Sequence, residues 1–330
     1  MKRIRTWGGL VLFALAVGAV LFVPAAWVSS PKSDAGNIRI TIPSNANGQS
    51  VAAILKEKGI LTSTVGYRLY AFFDSSATHP KAGDYTVQPG MSYRTLARQF
   101  FFGPEREEIE VKIIEGWSLD DEASLVTGLD AAWETPLVSE WVADYPFLSS
   151  LSRKATLEGF LFPDTYRVWK DQLPQGLIKK QLDAFATRAF RLIEGAEKQG
   201  RTLNEVVTLA SIVEKEVANP EDRKIVAGIF WNRLQSGMPL QSDATVNYVT
   251  HAGRTRPTII DLAVESAYNT YAHRGLPPGP ICNPGADALE AALNPAKTPY
   301  RYFLTDANGK TYFARTLEEH ILNRKKAFGP

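Results

Sequence analysis

Cysteine is nearly missing. Among 330 residues there is one, Cys282, which excludes an intramolecular disulfide and any metal site built from several cysteines. Histidine is scarce as well: His79, His251, His273 and His320 are scattered without the paired spacing of a zinc-binding helix, so neither a metal nor any other cofactor is expected. An excess of either charge is also lacking. The 37 Lys and Arg face 35 Asp and Glu for a net charge of +2, and no basic stripe interleaves with aromatics, which argues against nucleic acid as a partner.

One long apolar run is present, at the N-terminus. Lys2, Arg3 and Arg5 precede an uncharged stretch over residues 6–30, whose centre reads GGLVLFALAVGAVLFVPAAWV. As a helix it is long enough to cross a hydrocarbon core of about 30 Å. The basic flank comes first, so the expectation is a single-pass anchor in the inner (cytoplasmic) membrane, with the N-terminus cytoplasmic and the rest of the chain on the outer, periplasmic side. Trp7 and Trp27 stand where interfacial aromatics belong. A cleaved signal peptide is the competing reading, with small residues at Pro24-Ala25-Ala26, although the run exceeds the usual apolar core of a signal.

After a turn-rich linker at 31–36, Ile38 to Ile42 alternates as a strand and 50–58 reads as a helix ended by Gly59. Tyr85 to Val87 looks like a strand end before a Gln88-Pro89-Gly90 turn, a helix follows over 92–101, and 109–114 alternates again. The fold class is α+β: an N-terminal membrane helix in domain 1–30, a small α+β subdomain in 31–116, and a mainly helical domain in 117–330 with a hairpin around Asp306-Ala307-Asn308-Gly309. Within the last domain, Ser118 is an N-cap and 175–199 is a long amphipathic helix. The stretch LEGFLFPDTYRV, 157–168, is too aromatic for a solvated loop and too broken for a helix, so it should line a groove or lock two elements together.

The chemistry concentrates around LASIVEKE, residues 209–216. Thr202 and Glu205 form a T-x-x-E capping box that starts a helix over 203–217, and Asn219-Pro220 begins the next one. At about 100° per residue, Glu216 falls on the same face as Leu209, Ile212 and Val213, whereas Glu214 points the other way with Val207, Ala210 and Ser211. A carboxylate on an apolar face, opposed by the negative end of the helix dipole, holds its proton and suits a general acid. Spacing alone also describes a boundary glutamate whose head reaches a neighbouring Lys or Arg. Beyond this helix the chain turns polar and aromatic. LQSDATVNY supplies Gln241 and Asp243, AYNTY supplies Tyr268, Asn269 and Tyr271, and RGLPPGPICNPG is a rigid proline-rich loop. Rings beside amides and hydroxyls suit sugars, so these five and Glu214 are the candidate substrate-binding residues.

Two resemblances follow from these motifs. DYTVQPGMSYRTLARQF, 84–100, resembles the LysM pattern, in which a strand, a Pro-Gly-type turn and a helix open a carbohydrate-binding βααβ unit. LEGFLFPDTY, ASIVEKE, NRL, LQSD, AYNTY, GLPPGPI and NPG, in that order and spacing, are similar to the YceG-like family of endolytic murein transglycosylases. That second resemblance implies a LysM-like subdomain followed by a catalytic domain, with Glu216 as the single catalytic glutamate. It implies cleavage of the MurNAc-GlcNAc bond within nascent peptidoglycan strands to leave 1,6-anhydro ends, a lyase reaction without water. It also implies penicillin-binding proteins or other wall-synthesis enzymes as partners. Two alternatives stay open: a muramidase-type hydrolase with Asp243 as second carboxylate, and a non-catalytic membrane-anchored scaffold that binds the wall.

Overall fold

A computed structural model describes residues 36–61, 63–251 and 257–329. The chain divides into two compact units, 1–106 and 107–330. The architecture is α+β, but the membrane helix expected as its first element is corrected. Among the described residues no helix is long and apolar enough to cross a membrane, and the apolar run of 6–30 lies outside those residues.

In the first unit β1 (Ile38–Ile42) runs into α1 (Gly48–Glu57) and α2 (Thr64–Phe73), and the chain returns through β2 (Gly83–Val87) before α3 (Tyr93–Phe102). The strands are antiparallel, with Ile38 opposite Val87 and Ile42 opposite Gly83. Period-two alternation turns Ile40, Ile42, Tyr85 and Val87 inward, where they meet Val51, Leu55, Leu96 and Phe100. Asn47 and Ser50 cap α1 reciprocally, which starts that helix two residues before the expected position. The LysM reading needs correction here. Residues 84–100 do not open a βααβ unit, because 83–87 is its closing strand and α3 follows it.

The second unit begins earlier than the expected division after residue 116. Its first strand, β3 (Glu108–Lys112), pairs antiparallel with β4 (Thr165–Trp169), a partner from far along the chain. Between them lie α4 (Leu119–Gly128), capped by Ser118 and Asp121, and the short α5 (Val138–Trp141). Three long helices follow: α6 (Gln175–Lys198), α7 (Leu203–Glu216) and α8 (Pro220–Gln235). Then come α9 (Asp243–Thr250), α10 (Ile259–Leu262) and α11 (Ala286–Leu293), the β5 (Tyr302–Thr305) and β6 (Thr311–Ala314) hairpin, and α12 (Leu317–Phe328) packed on that hairpin.

Helix α7 forms the centre of this unit. Leu203, Val206, Val207, Leu209, Ala210, Ile212 and Val213 are all buried, on more than one face. They pack against α6, α8 and α11 in one core that includes Phe185, Phe230 and Leu289. A helix enclosed on several sides holds its last residue in a fixed place.

The LEGFLFPDTY segment does lock elements together. Asn283 accepts the Gly159 and Leu161 amides at 2.8 and 3.1 Å and donates to Glu122 at 3.0 Å. Gly159 adopts φ +86°, and a Cβ there would collide with Pro280, so only glycine lets this turn seat against the proline-rich loop.

Candidate active site

Glu216 is the final residue of α7, and two features of the local sequence place it. The Thr202–Glu205 capping box fixes where the helix starts, with the Glu205 amide on the Thr202 hydroxyl at 3.2 Å and the Thr202 amide on the Glu205 carboxylate at 2.7 Å. Extended backbone at Val217 then ends it, φ −143° and ψ 136°. The carboxylate is half-buried, and Ser242 Oγ donates to Glu216 Oε1 at 2.5 Å. Burial pushes its pKa up to about 7, and the nearby Asp243 charge adds to that rise. The Ser242 hydroxyl and the Arg233 guanidinium act in the opposite sense.

The loop that brings Ser242 to Glu216 is built on one threonine. Gln241 donates its amide to the Thr270 carbonyl at 3.2 Å, and Ser242 donates its amide to Thr270 Oγ1 at 3.0 Å. Thr270 and Thr245 hydroxyls meet at 2.9 Å, and Thr245 donates to the Ser242 carbonyl at 2.8 Å. Gln241 is left-handed at φ 49°, a conformation that costs a non-glycine residue about 1 kcal/mol or more. That reversal points the Ser242 hydroxyl at the carboxylate. Asp243 then opens α9 and accepts from Tyr271 Oη at 2.6 Å.

Arg233 of α8 completes the cluster. It is buried at 7 % exposure, and it donates to the Leu240 carbonyl at 2.5 Å and to the Arg301 carbonyl at 2.8 and 3.0 Å. The guanidinium therefore ties α8 to the Ser242 loop and to the hairpin, while its charge acts on Glu216.

Of the sequence candidates, Glu216, Asp243 and Tyr271 come together, and Gln241 is the exposed hinge beside them. Three others do different work. Glu214 forms a buried ion pair with Arg223 at 2.5 Å, side-chain exposures 6 % and 7 %, and accepts the Gly285 amide at 3.0 Å. Burial raises its pKa, against those two partners. Its carboxylate joins α7, α8 and the start of α11 and is not among the groups around Glu216. Asn269 is fully buried, and its amide group serves the backbone on both sides: Nδ2 donates to Leu262 and Val264 carbonyls at 3.0 Å, and Oδ1 accepts from Tyr271 and Ala272. It shapes the loop that carries Tyr271 and offers no group to a sugar. Tyr268 is half-buried and packs its ring on Tyr248 at 5.1 Å, near Glu158.

Sequence reasoning passed over Ser242 and, in role, Arg233. Ser242 carried a usable signal, since it stands directly between two residues that were chosen. Two further carboxylates, Glu122 and Glu158, are also buried with pKa values pushed to about 8 by desolvation. Glu122 accepts from Gln181 and Asn283, and Glu158 accepts the Leu119 amide at 3.2 Å and the Tyr248 hydroxyl at 3.3 Å. They brace the interior of the unit. Among the described residues no group of His, Cys, Asp and Glu is arranged to hold a metal ion.

Comparison with known proteins agrees in extent and in name. Proteins from two strains of Streptococcus pneumoniae, each called endolytic murein transglycosylase, are 33% identical over 317 residues, which cover 87% of this chain and 57% of theirs. The chain thus spans little more than half the length of those two relatives. A Bacillus subtilis protein of the same name is 30% identical over 325 residues, 94% of this chain and 90% of its own. The crystal structure of a YceG-like protein from Listeria monocytogenes shares the fold with a TM-score of 0.55 and 31% identity, over 87% of this chain and 99% of that one. The model of the YceG-like family matches residues 40–326, and the chain belongs to that family.

Proposed function

We propose that this chain is an endolytic peptidoglycan transglycosylase, a lyase that cuts the MurNAc-GlcNAc β-1,4 bond inside glycan strands and so limits their length. The observation that carries the reading is the setting of Glu216, a half-buried carboxyl at the end of an enclosed helix that accepts the Ser242 hydroxyl. A carboxyl with a pKa of about 7, ordered by Ser242 at the end of a buried helix, is a general acid at neutral pH that becomes a competent base once ionised. The names of the relatives support the choice of substrate.

One carboxyl is enough for this reaction. Glu216 gives its proton to the glycosidic oxygen, the bond from muramic acid C1 to that oxygen breaks, and the GlcNAc 4-hydroxyl leaves. The muramic acid 6-hydroxyl oxygen then bonds to C1, closing the 1,6-anhydro ring, and its proton returns to Glu216. No water enters and the enzyme is regenerated. Holding the internal nucleophile in place supplies much of the rate, because well-oriented groups reach very high effective molarities. The Asp243 carboxylate, fixed by Tyr271, lies near enough to Glu216 to act on its pKa. On this reading it offsets positive charge that develops at C1, while exposed Gln241 meets the sugar hydroxyls.

The substrate lies outside the cytoplasm, and the catalytic unit works there on this reading. Association with penicillin-binding proteins or other wall-synthesis enzymes rests on the family resemblance.

The test is Glu216→Gln assayed on purified peptidoglycan. Substitution by an amide that cannot donate a proton is expected to lower turnover by roughly a hundredfold or more, with the fold intact by circular dichroism. Cleavage at the wild-type rate would remove Glu216 from the mechanism.

A further inference from the structure

Arg201 takes no part in the Glu216 cluster. It follows the left-handed Gly200, φ 66°, at the end of α6, and its guanidinium lies over the Trp231 ring at 3.7 Å. Nη1 is buried with no hydrogen-bond partner. The carboxylate that acts on it electrostatically, Glu205, gives its Oε2 to the Thr202 cap. A buried donor without an acceptor costs about 1–3 kcal/mol, and more when it is charged. The planar fork of arginine matches a carboxylate better than any other common group.

Arg201 is part of the wall of a cavity of about 550 Å³, with Trp231, Asn232, Gln235, Leu293 and Lys297. The floor is rigid. The Trp231 indole donates to the Ala292 carbonyl at 2.9 Å, and Gly228 lets the strap of residues 294–297 lie directly on α8, where a Cβ would strike the Ala296 carbonyl. Lys297 is exposed on the rim. A second cavity of about 210 Å³ shares Asn232 and is lined by Arg233, the arginine whose charge acts on Glu216. The two cavities are thus neighbours along α8, with Asn232 in the wall of both.

We propose that the cavity lined by Arg201, Trp231 and Lys297 binds the peptide carried by the glycan strand, with Arg201 taking a peptide carboxylate, Lys297 reaching it from the rim and Trp231 packing against the aliphatic part. The proposal rests on the peptidoglycan reading of the Glu216 site. In that polymer the lactyl carboxyl of muramic acid is tied up as an amide to the peptide, so free carboxylates come from the peptide alone. A strand stripped of peptides would leave Arg201 without a partner.

The experiment is a calorimetric titration of the protein with the stem tetrapeptide freed from its glycan. Saturable binding is expected, weakened about tenfold or more when the peptide carboxylates are amidated and in Arg201→Ala. Exposed Lys297→Ala is expected to weaken it by a smaller factor and serves if Arg201→Ala does not fold. Absence of binding, equal binding of the amidated peptide, or unchanged affinity in the variants would overturn the proposal. The tetrapeptide contains no glycosidic bond, so the outcome is independent of whether Glu216 cleaves glycan. Retained cleavage by Glu216→Gln would sink the catalytic assignment and leave this titration readable.

Discussion

Ser242 and Asp243 act on the Glu216 proton from opposite directions. The hydroxyl favours the charged carboxylate and the neighbouring carboxylate disfavours it, while burial sets the value near 7. Catalysis that starts from the protonated form has a kcat/KM that falls as pH rises through about 7. Ser242→Ala removes the bond that stabilises the anion, so that limb should move to higher pH, whereas Asp243→Asn removes a like charge and should move it to lower pH. Each displacement is expected to be on the order of one pH unit, measured as pH-rate profiles on peptidoglycan; displacements of the same sign would contradict the account. Helical periodicity puts Glu216 on the face of Leu209, Ile212 and Val213, but the opposite face is buried too and carries Glu214, so the period alone does not single out one carboxylate. The place of Ser242 between Gln241 and Asp243 was legible, but its aim was not, because that depends on the left-handed backbone of Gln241, and glutamine gives no hint of that conformation. Asn269 was misread for a related reason: a loop amide meets its own backbone as readily as a ligand.

The α7–α8 pair is held by more than apolar packing. Glu214 and Arg223 form an ion pair that is almost wholly shielded from water, and removing one charge leaves the other buried and uncompensated, at a cost of about 3–5 kcal/mol. Glu214→Gln should therefore lower the chemical-denaturation stability of the second unit by that order. Glu216→Gln, which replaces a carboxyl that burial leaves about half protonated near neutral pH, should change it little. Equal destabilisation by the two would show that Glu214 is not the structural member of the pair. Elements with capping signals were read nearly to the residue, as with α7 and its Thr202–Glu205 box or α8 and Asn219-Pro220. Those without a clean period were lost. Helix α2 buries Tyr67 and Ala71 but exposes Val65, Leu69 and Phe72, so apolar residues on both sides blur its amphipathic pattern. Strand β4 was hidden in an aromatic stretch behind Pro163, and its partner β3 is more than fifty residues away.

Each unit carries a core of its own. Ile40, Val51, Leu55, Tyr85 and Phe100 close the first, while Phe185, Leu209, Ile212 and Phe230 close the second. Calorimetry of the protein should then resolve two unfolding transitions. Leu55→Ala should lower one and Leu209→Ala the other, each by about 2–5 kcal/mol; a single transition lowered by both variants would mean one cooperative unit. At this scale the sequence conveyed the α+β mixture and the order of the motifs, but not the membrane helix placed first, which no described helix matches. The division between units escaped it, since the side on which β3 falls is decided by a pairing that no local pattern encodes. The central claim is that a single carboxyl in the second unit both protonates the glycosidic oxygen and recovers the proton from the sugar. Its most direct test is mass spectrometry of the ends made when the protein digests purified peptidoglycan in isotopically labelled water. The account predicts 1,6-anhydro-muramic acid ends free of the label; reducing ends that carry solvent oxygen would contradict it and turn attention to Asp243 as a second catalytic carboxylate.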